Sequence, residues 1–348
     1  MTMPVTRTAA GIVLGEPPDR PEFSALLEAD GATLIWDLTT QNALPAAIVW
    51  DPRRAAAWAW QVYGPGATDA LAGTESSFAA TPGPALAAAR TAARCGWARA
   101  WWPASRLAEL PPLDPRLLDL EEATALVELE HLLDDPEGVD DRLGAALAAT
   151  AGMDDATGDV GALIARGREL AADRGLRVAE PAAAPAGRRS DFALAAGDAT
   201  GAPGAVATGT APLDLSRLAP GTVDAAEPAR WSIHREAGET VLEVTVERAP
   251  RHPADTAEPA PLEAGFAGVT LSLIPEEGRF AGRVAVPARI LLSRPEQRVL
   301  EVASPGYGGG WQADADALLA LARASLARAR QGEPDGVTLA EAQAAVQP

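Results

Sequence analysis

Cys95, followed by Gly96-Trp97, is the chain's one thiol, and His131, His234 and His252 are its only imidazoles. A thiolate beside a histidine base would perform nucleophilic transfer. The local pattern, however, ends a helix of about Pro84 to Arg94 at this point, with Gly96 as the terminating residue. The negative end of a helix raises a thiol pKa, so Cys95 reads as a small buried thiol rather than a nucleophile. Glu128-Leu129-Glu130-His131 projects a carboxylate and an imidazole from one helical turn, as di-iron bundles do. Those centres need the motif twice with two further glutamates, and one copy predicts no metal. Trp36-Asp37 and Trp50-Asp51 resemble a carboxylate dyad, but hairpin pairing sets Asp37 opposite Ala47 and Asp51 opposite Thr33, too far apart to share a proton.

The loop Ser304-Pro305-Gly306-Tyr307-Gly308-Gly309-Gly310-Trp311 lies between a strand and a helix, where backbone amides can cradle phosphate. The helix that follows opens with Asp314 and Asp316, and no lysine follows the glycines. A flexible corner packed by Tyr307 and Trp311 is expected instead, or a partner-binding loop with two aromatic anchors. Lysine is in fact absent from all 348 residues, since every one of the 29 basic residues is arginine. That excludes P-loop, Schiff-base, Ser-x-x-Lys and kinase chemistry. No G-x-S-x-G elbow, H-E-x-x-H, paired C-x-x-C or G-x-G-x-x-G occurs, so no catalytic residue, cofactor or metal is assigned. Alanine enrichment with arginine in place of lysine points to a GC-rich, actinobacterial type of genome.

A formal charge of −19 repels nucleic acid and anionic membranes, and a basic protein is the partner such a charge favours. Ten carboxylates and no arginine lie between Leu117 and Asp141, which predicts a solvated acidic face or a docking surface for that partner. Neither Asp134–Asp141 nor Asp154–Asp159 has calcium-loop spacing. The start of the chain lacks a signal-peptide pattern and no stretch is apolar enough to span a bilayer, so the expected location is the cytoplasm.

The elements that must hold these residues read as an α+β chain in two domains. Residues 1–178 form an N-terminal domain with a Trp-rich antiparallel meander: Thr33–Leu38, Ala46–Asp51 and Trp58–Tyr63 alternate, with Leu34, Trp36, Ile48, Trp50, Trp58 and Trp60 turned inward. The predicted helix at 84–94 is followed by a strand Trp97–Trp102, then by helices opening at Asp114-Pro115 and covering 142–151 and 159–174. An Ala/Pro/Gly-rich linker spans 179–212. Residues 213–331 form a small antiparallel sandwich or barrel, with strands at 241–247, 269–273, 280–286, 290–292 and near Val299, closed by a helix from Gln312 to Arg330. Residues 332–348 read as a frayed tail.

With so thin a catalytic inventory, the expected function is a non-enzymatic scaffold or accessory subunit that binds other proteins. Trp101, Trp102, Asp134, Asp135, Tyr307 and Trp311 are the candidate contact residues. A hydrolase or transferase using carboxylates and arginines of the N-terminal domain, and a small-molecule sensor, are the alternatives.

Overall fold

The computed structural model describes residues 1–40, 44–153, 158–177, 205–255, 259–292, 294, 297–307, 313–332 and 336–346. The fold is α+β, and the chain divides into two compact units. The first gathers described residues of Met1–Trp102, Leu113–Ala182 and Leu321–Pro348, and the second those of Pro103–Pro112 and Ala183–Ala320. No described helix is long and apolar enough to cross a membrane.

The first unit holds strands β1 (Thr2–Thr8), β2 (Gly11–Leu14), β3 (Ser24–Ala29), β4 (Ala32–Asp37), β5 (Ala46–Val49) and β6 (Ser77–Ala79). Every pairing in this sheet is antiparallel, in the order β3-β4-β5-β2-β1-β6. The expected meander is therefore part of a larger sheet, and its third strand is absent. Residues 58–63 belong instead to a run of short helices, α1 (Pro52–Ala56), α2 (Trp60–Tyr63) and α3 (Gly66–Ala72). Asp51 starts the run: its Oδ1 accepts the N–H groups of Arg53 and Arg54 at 3.0 and 3.2 Å, and Pro52 takes the first helical position.

The face assignment also shifts by one residue. Leu34 pairs with Ala47 and Thr33 with Ile48, so Ala47 and Val49 are buried while Ile48 and Trp50 are 43% and 47% exposed. A slip of one position transfers every side chain of a strand to the other face. The core on the inner face is made by Leu14, Leu27, Leu34 and Trp36.

Helix α4 (Leu86–Trp101) packs on β3 and β4, and runs through the region read as a strand from Trp97. Gly96 does not end it. It faces α5 (Pro115–Leu129), where an added Cβ would meet Glu122 Oε1 at an ordinary contact distance of 3.7 Å, so the packing there does not demand glycine. Asp114 caps α5 as expected, accepting the Arg116 N–H at 3.0 Å. Helices α6 (Val139–Ala149) and α7 (Gly158–Asp173) pack beside it.

The second unit is one seven-stranded antiparallel sheet of β7 (Ala205–Ala211), β8 (Ala229–Glu236), β9 (Glu239–Glu247), β10 (Leu262–Phe266), β11 (Val269–Pro275), β12 (Arg279–Val286) and β13 (Leu300–Ala303). Its order is β13-β10-β11-β12-β9-β8-β7, and β13 curls back to touch β7 and β8, giving a half-barrel. Strand β7 occupies the end of the stretch read as a linker, while residues 179–204 lie outside the described residues. The segment 290–292 is 3-10 helix rather than strand, and Leu292 is exposed. Two hairpins turn on Ala237-Gly238 and Ala267-Gly268, all four residues with positive φ, as the right-handed twist of flanking strands requires. The buried face carries Ile233, Leu242, Val244, Val246, Phe266, Leu273 and Phe280.

Helix α8 (Ala315–Arg330) crosses from the second unit's residues to the first's. The stretch read as a frayed tail contains a further helix, α9 (Leu339–Val346), which packs on α5. Helix α8 matches the helix expected from Gln312 to Arg330, and the chain end from Leu321 onward belongs to the first unit.

Candidate functional site

The densest cluster of ionisable groups in the first unit is built on neighbouring turns of α4, α5, α8 and α9. Helix α9 begins with Thr338-Leu339-Ala340-Glu341, a capping box: the Thr338 hydroxyl accepts the Glu341 N–H at 3.2 Å, and Glu341 Oε2 accepts the Thr338 N–H at 2.7 Å. The same carboxylate, wholly buried, forms an ion pair with the buried Arg94 of α4 and accepts the Ser325 hydroxyl of α8 at 2.9 Å. Arg94 also lies over the Trp97 ring, 4.3 Å from its centroid. Burial alone would raise the Glu341 pKa, but Arg94 and the hydrogen bonds from Thr338 and Ser325 outweigh it and hold the carboxyl below its ordinary range.

Glu121 of α5 borders this pair and accepts the Leu339 N–H at 2.8 Å. Burial pushes its pKa up to about 7 against the pull of that N–H, and Glu341 adds to the rise. Cys95 is buried beside them. Its thiol is driven well above the ordinary value by burial first and then by Glu121, Glu122 and Glu341. A neutral, enclosed thiol does no nucleophilic chemistry. The reason lies in burial and three carboxylates, not in a helix terminus, because Cys95 stands inside α4.

The histidines go elsewhere. His131 Nε2 meets Gln61 Oε1 at 2.5 Å, while Glu128 turns to Arg166 at 3.5 Å, so the two halves of the Glu-x-x-His motif diverge. Among the described residues no group of three or more metal-ligating side chains is arranged to hold an ion. His252 Nδ1 accepts the Ala254 N–H at 3.2 Å.

His234 makes a Ser–His contact in the second unit that its spacing alone does not single out. Ser232 and His234 share a face of β8, Glu243 stands opposite Ser232 on β9, and Ser232 Oγ lies 2.7 Å from His234 Nε2. Glu243 Oε2 approaches the same nitrogen at 3.7 Å, so it does not orient the ring through Nδ1 as a catalytic triad requires. Strand β8 is paired on both edges, by β7 and β9, and its backbone N–H groups are committed to the ladders rather than to an oxyanion. Period-two spacing of Ser232 and His234 was the available signal; the partner Glu243 becomes visible only with the register.

Six of the ten carboxylates between Leu117 and Asp141 meet arginines brought from other elements. Arg99 holds Asp119 and Glu122, Arg166 holds Glu128, Arg174 holds Glu130 and Asp140, and Arg54 holds Asp134. The expected acidic face is thus largely neutralised from within the first unit. An open concavity of about 420 Å³ lies on this flank, lined by Arg99, Asp119, Glu122, Ala123, Arg142, Ala145 and Ala146.

The candidate contact residues do not form one surface. Trp102 is buried, with only 6% exposed, and Trp101 at the end of α4 is half-buried. Asp134 pairs with Arg54 at 3.3 Å, and Asp135 is exposed and accepts the Glu137 N–H at 3.2 Å. Tyr307 is half exposed in the second unit, and Trp311 lies outside the described residues with the glycines before it. The exposed aromatic side chains of the first unit are instead Trp50 and Trp60. No family model matches the chain, and no curated protein or solved structure shows a significant similarity to it.

Proposed function

We propose that this protein works by binding another protein, as a cytoplasmic accessory or scaffold subunit, through the outer face of its first sheet. The supporting observation is a set of exposed apolar side chains on that face, which they share with Glu28, Thr33 and the buried Ile35. Leu26 pairs with Ile35, and Ile48 with both Thr33 and Val13, which sets Leu26, Ile35, Ile48 and Val13 on one side of the ladder. Leu26 and Ile48 are 54% and 43% exposed, and Trp50, two residues beyond Ile48, continues the same alternation. Large apolar side chains grouped on a sheet face, with an aromatic anchor at the end, are the composition of a protein interface. A basic partner on the acidic flank is the weaker arrangement, because Arg54, Arg99, Arg166 and Arg174 already occupy most of its carboxylates.

The test compares wild-type protein with Ile48→Glu/Trp50→Ser in affinity isolation from the native host. The reading expects a stoichiometric partner on the wild type that the variant loses, with the variant's circular dichroism unchanged. Equal recovery of the same proteins by both would overturn it.

A further inference from the structure

We propose that α9 is a releasable latch on α4 and α5, docked while Glu121 carries a proton and let go when Glu121 gives that proton up. The geometry supplies the reason. Two carboxylates, Glu121 and Glu341, meet at the start of α9, and one guanidinium, Arg94, serves them. Arg94 is committed to Glu341 through both its Nε and a terminal nitrogen, with a further bond to Ser325 Oγ at 3.2 Å. A second negative charge at the half-buried Glu121 therefore finds, among the described residues, the Leu339 N–H and the Cys95 thiol as its protein donors.

Among the described residues no cation stabilises a charge on Glu121 directly. From α9 it faces Glu341, and from α4 Cys95 and, behind Glu341, Arg94. Helix α8 contributes the neutral Ser325 beside the pair, and its Arg330 donates to the Ala345 carbonyl of α9 at 3.0 Å. The remaining arginines near α5 are taken up on its other flank: Arg99 by Asp119 and Glu122, and Arg166 of α7 by Glu128, while Arg142 of α6 lines the concavity beside Glu122. Arg90 of α4 lies against Gly336, ahead of α9.

The sign follows from linkage. Docked, Glu121 keeps its proton to about pH 7, whereas a freed carboxyl releases it near 4.5. Between those values the docked form binds more protons, so docking weakens as pH rises, by at most roughly ten-fold per pH unit. The full span corresponds to as much as roughly 300-fold, and the curve is flat above about pH 7. Glu341 acts oppositely: its ion pair is present above the ordinary carboxylate range and is lost only as pH falls through its depressed value. Helix α9 is thus held most firmly in acidic solution and loosens as the pH rises to neutrality, with no further change above it.

The test is hydrogen exchange of the full chain, resolved by peptide from about pH 5 to about pH 8.5 and corrected for intrinsic exchange chemistry. In the wild type, protection of residues 339–346 should fall by tens-fold, at most roughly 100-fold, with rising pH, while α4 and α5 hold theirs. Glu121→Gln keeps an oxygen for the Leu339 N–H and cannot ionise, so its α9 protection should be independent of pH over this range. Cys95 labelling in the wild type, normalised to a free thiol, gives a readout that needs no variant, and it should rise along the same curve. A pH-independent α9, equal loss of protection in α4 and α5, or an unchanged pH response in Glu121→Gln would each overturn the latch.

Discussion

Helix α5 carries acids on two flanks that the fold treats in opposite ways. On one, Asp119, Glu122 and Glu128 meet Arg99 and Arg166 in solvent, each side of most pairs being around half exposed. On the other, Glu121 turns inward to the buried Arg94–Glu341 pair, where the side chains are 3% and 0% exposed. The residue types are the same, and Arg94 makes only one bond more than Arg99 or Arg166. What differs is water. An exposed pair exchanges hydration for a screened contact and contributes about 0–1 kcal/mol, whereas a buried one fixes two charges that can be tolerated only together. The exposed flank should therefore adapt to substitution, and the inner one should not.

Arg94→Met tests the larger side of that contrast. It leaves Glu341 buried without its cation, and loss of one partner of a buried pair costs about 3–5 kcal/mol. Urea denaturation should register that loss. The double variant Arg94→Met/Glu341→Met removes both charges and should recover most of it, because the Coulombic gain of the native pair does little more than offset its desolvation. If the double variant is as unstable as the single one, the pair is a source of stability in its own right and the contrast between the flanks fails.

How much of this was legible beforehand depends on where each partner lies in the chain. Asp114-Pro115 announced α5, and the same Asp-Pro signal at 51–52 starts α1, yet there the alternation of Trp58, Trp60 and Val62 imitates a strand. Helices of four to seven residues are too short to display a period of 3.6. The run Ala46-Ala47-Ile48-Val49-Trp50 has no polar member to set its phase. Pairing with β4 and β2 sets it instead, and leaves the bulkier side chains outside. Thr338-Leu339-Ala340-Glu341 is a capping-box signature in plain sight, and it marks α9 within what composition alone reads as a frayed end. Cys95 as a small buried thiol was legible. Its neighbours were not, since Glu121 and Glu341 reach it from helices distant in sequence. The acidic stretch likewise looked bare only because Arg54, Arg99, Arg166 and Arg174 all lie outside it.

Arg174 stands between the two extremes. It is 25% exposed and bonds both carboxylate oxygens of Glu130, at 2.8 and 2.9 Å, as well as Asp140. A forked contact of this kind ties the end of α7 to the 3-10 turn after α5 and to the start of α6. Arg174→Ala should lower stability by about 1 kcal/mol, and Arg174→Lys should restore less than half of that, because an ammonium cannot reproduce the fork. A loss as large as that of Arg94→Met would mean that burial is not the deciding variable.

The smallest effect belongs to Arg166, and it is the sharpest check on the exposed side. Its contacts with Glu169 at 2.9 Å and Glu128 at 3.5 Å join side chains that are all 46% exposed or more. Holding three long side chains in register costs rotamer entropy, while the attraction is screened over about 10 Å at 0.1 M salt. Arg166→Gln should therefore leave the urea midpoint almost unchanged, and raising the salt to about 1 M should erase what remains. A clear drop in the midpoint that survives high salt would place Arg166 in the same class as Arg94, and the line drawn between the two flanks of α5 would have to be redrawn around α7.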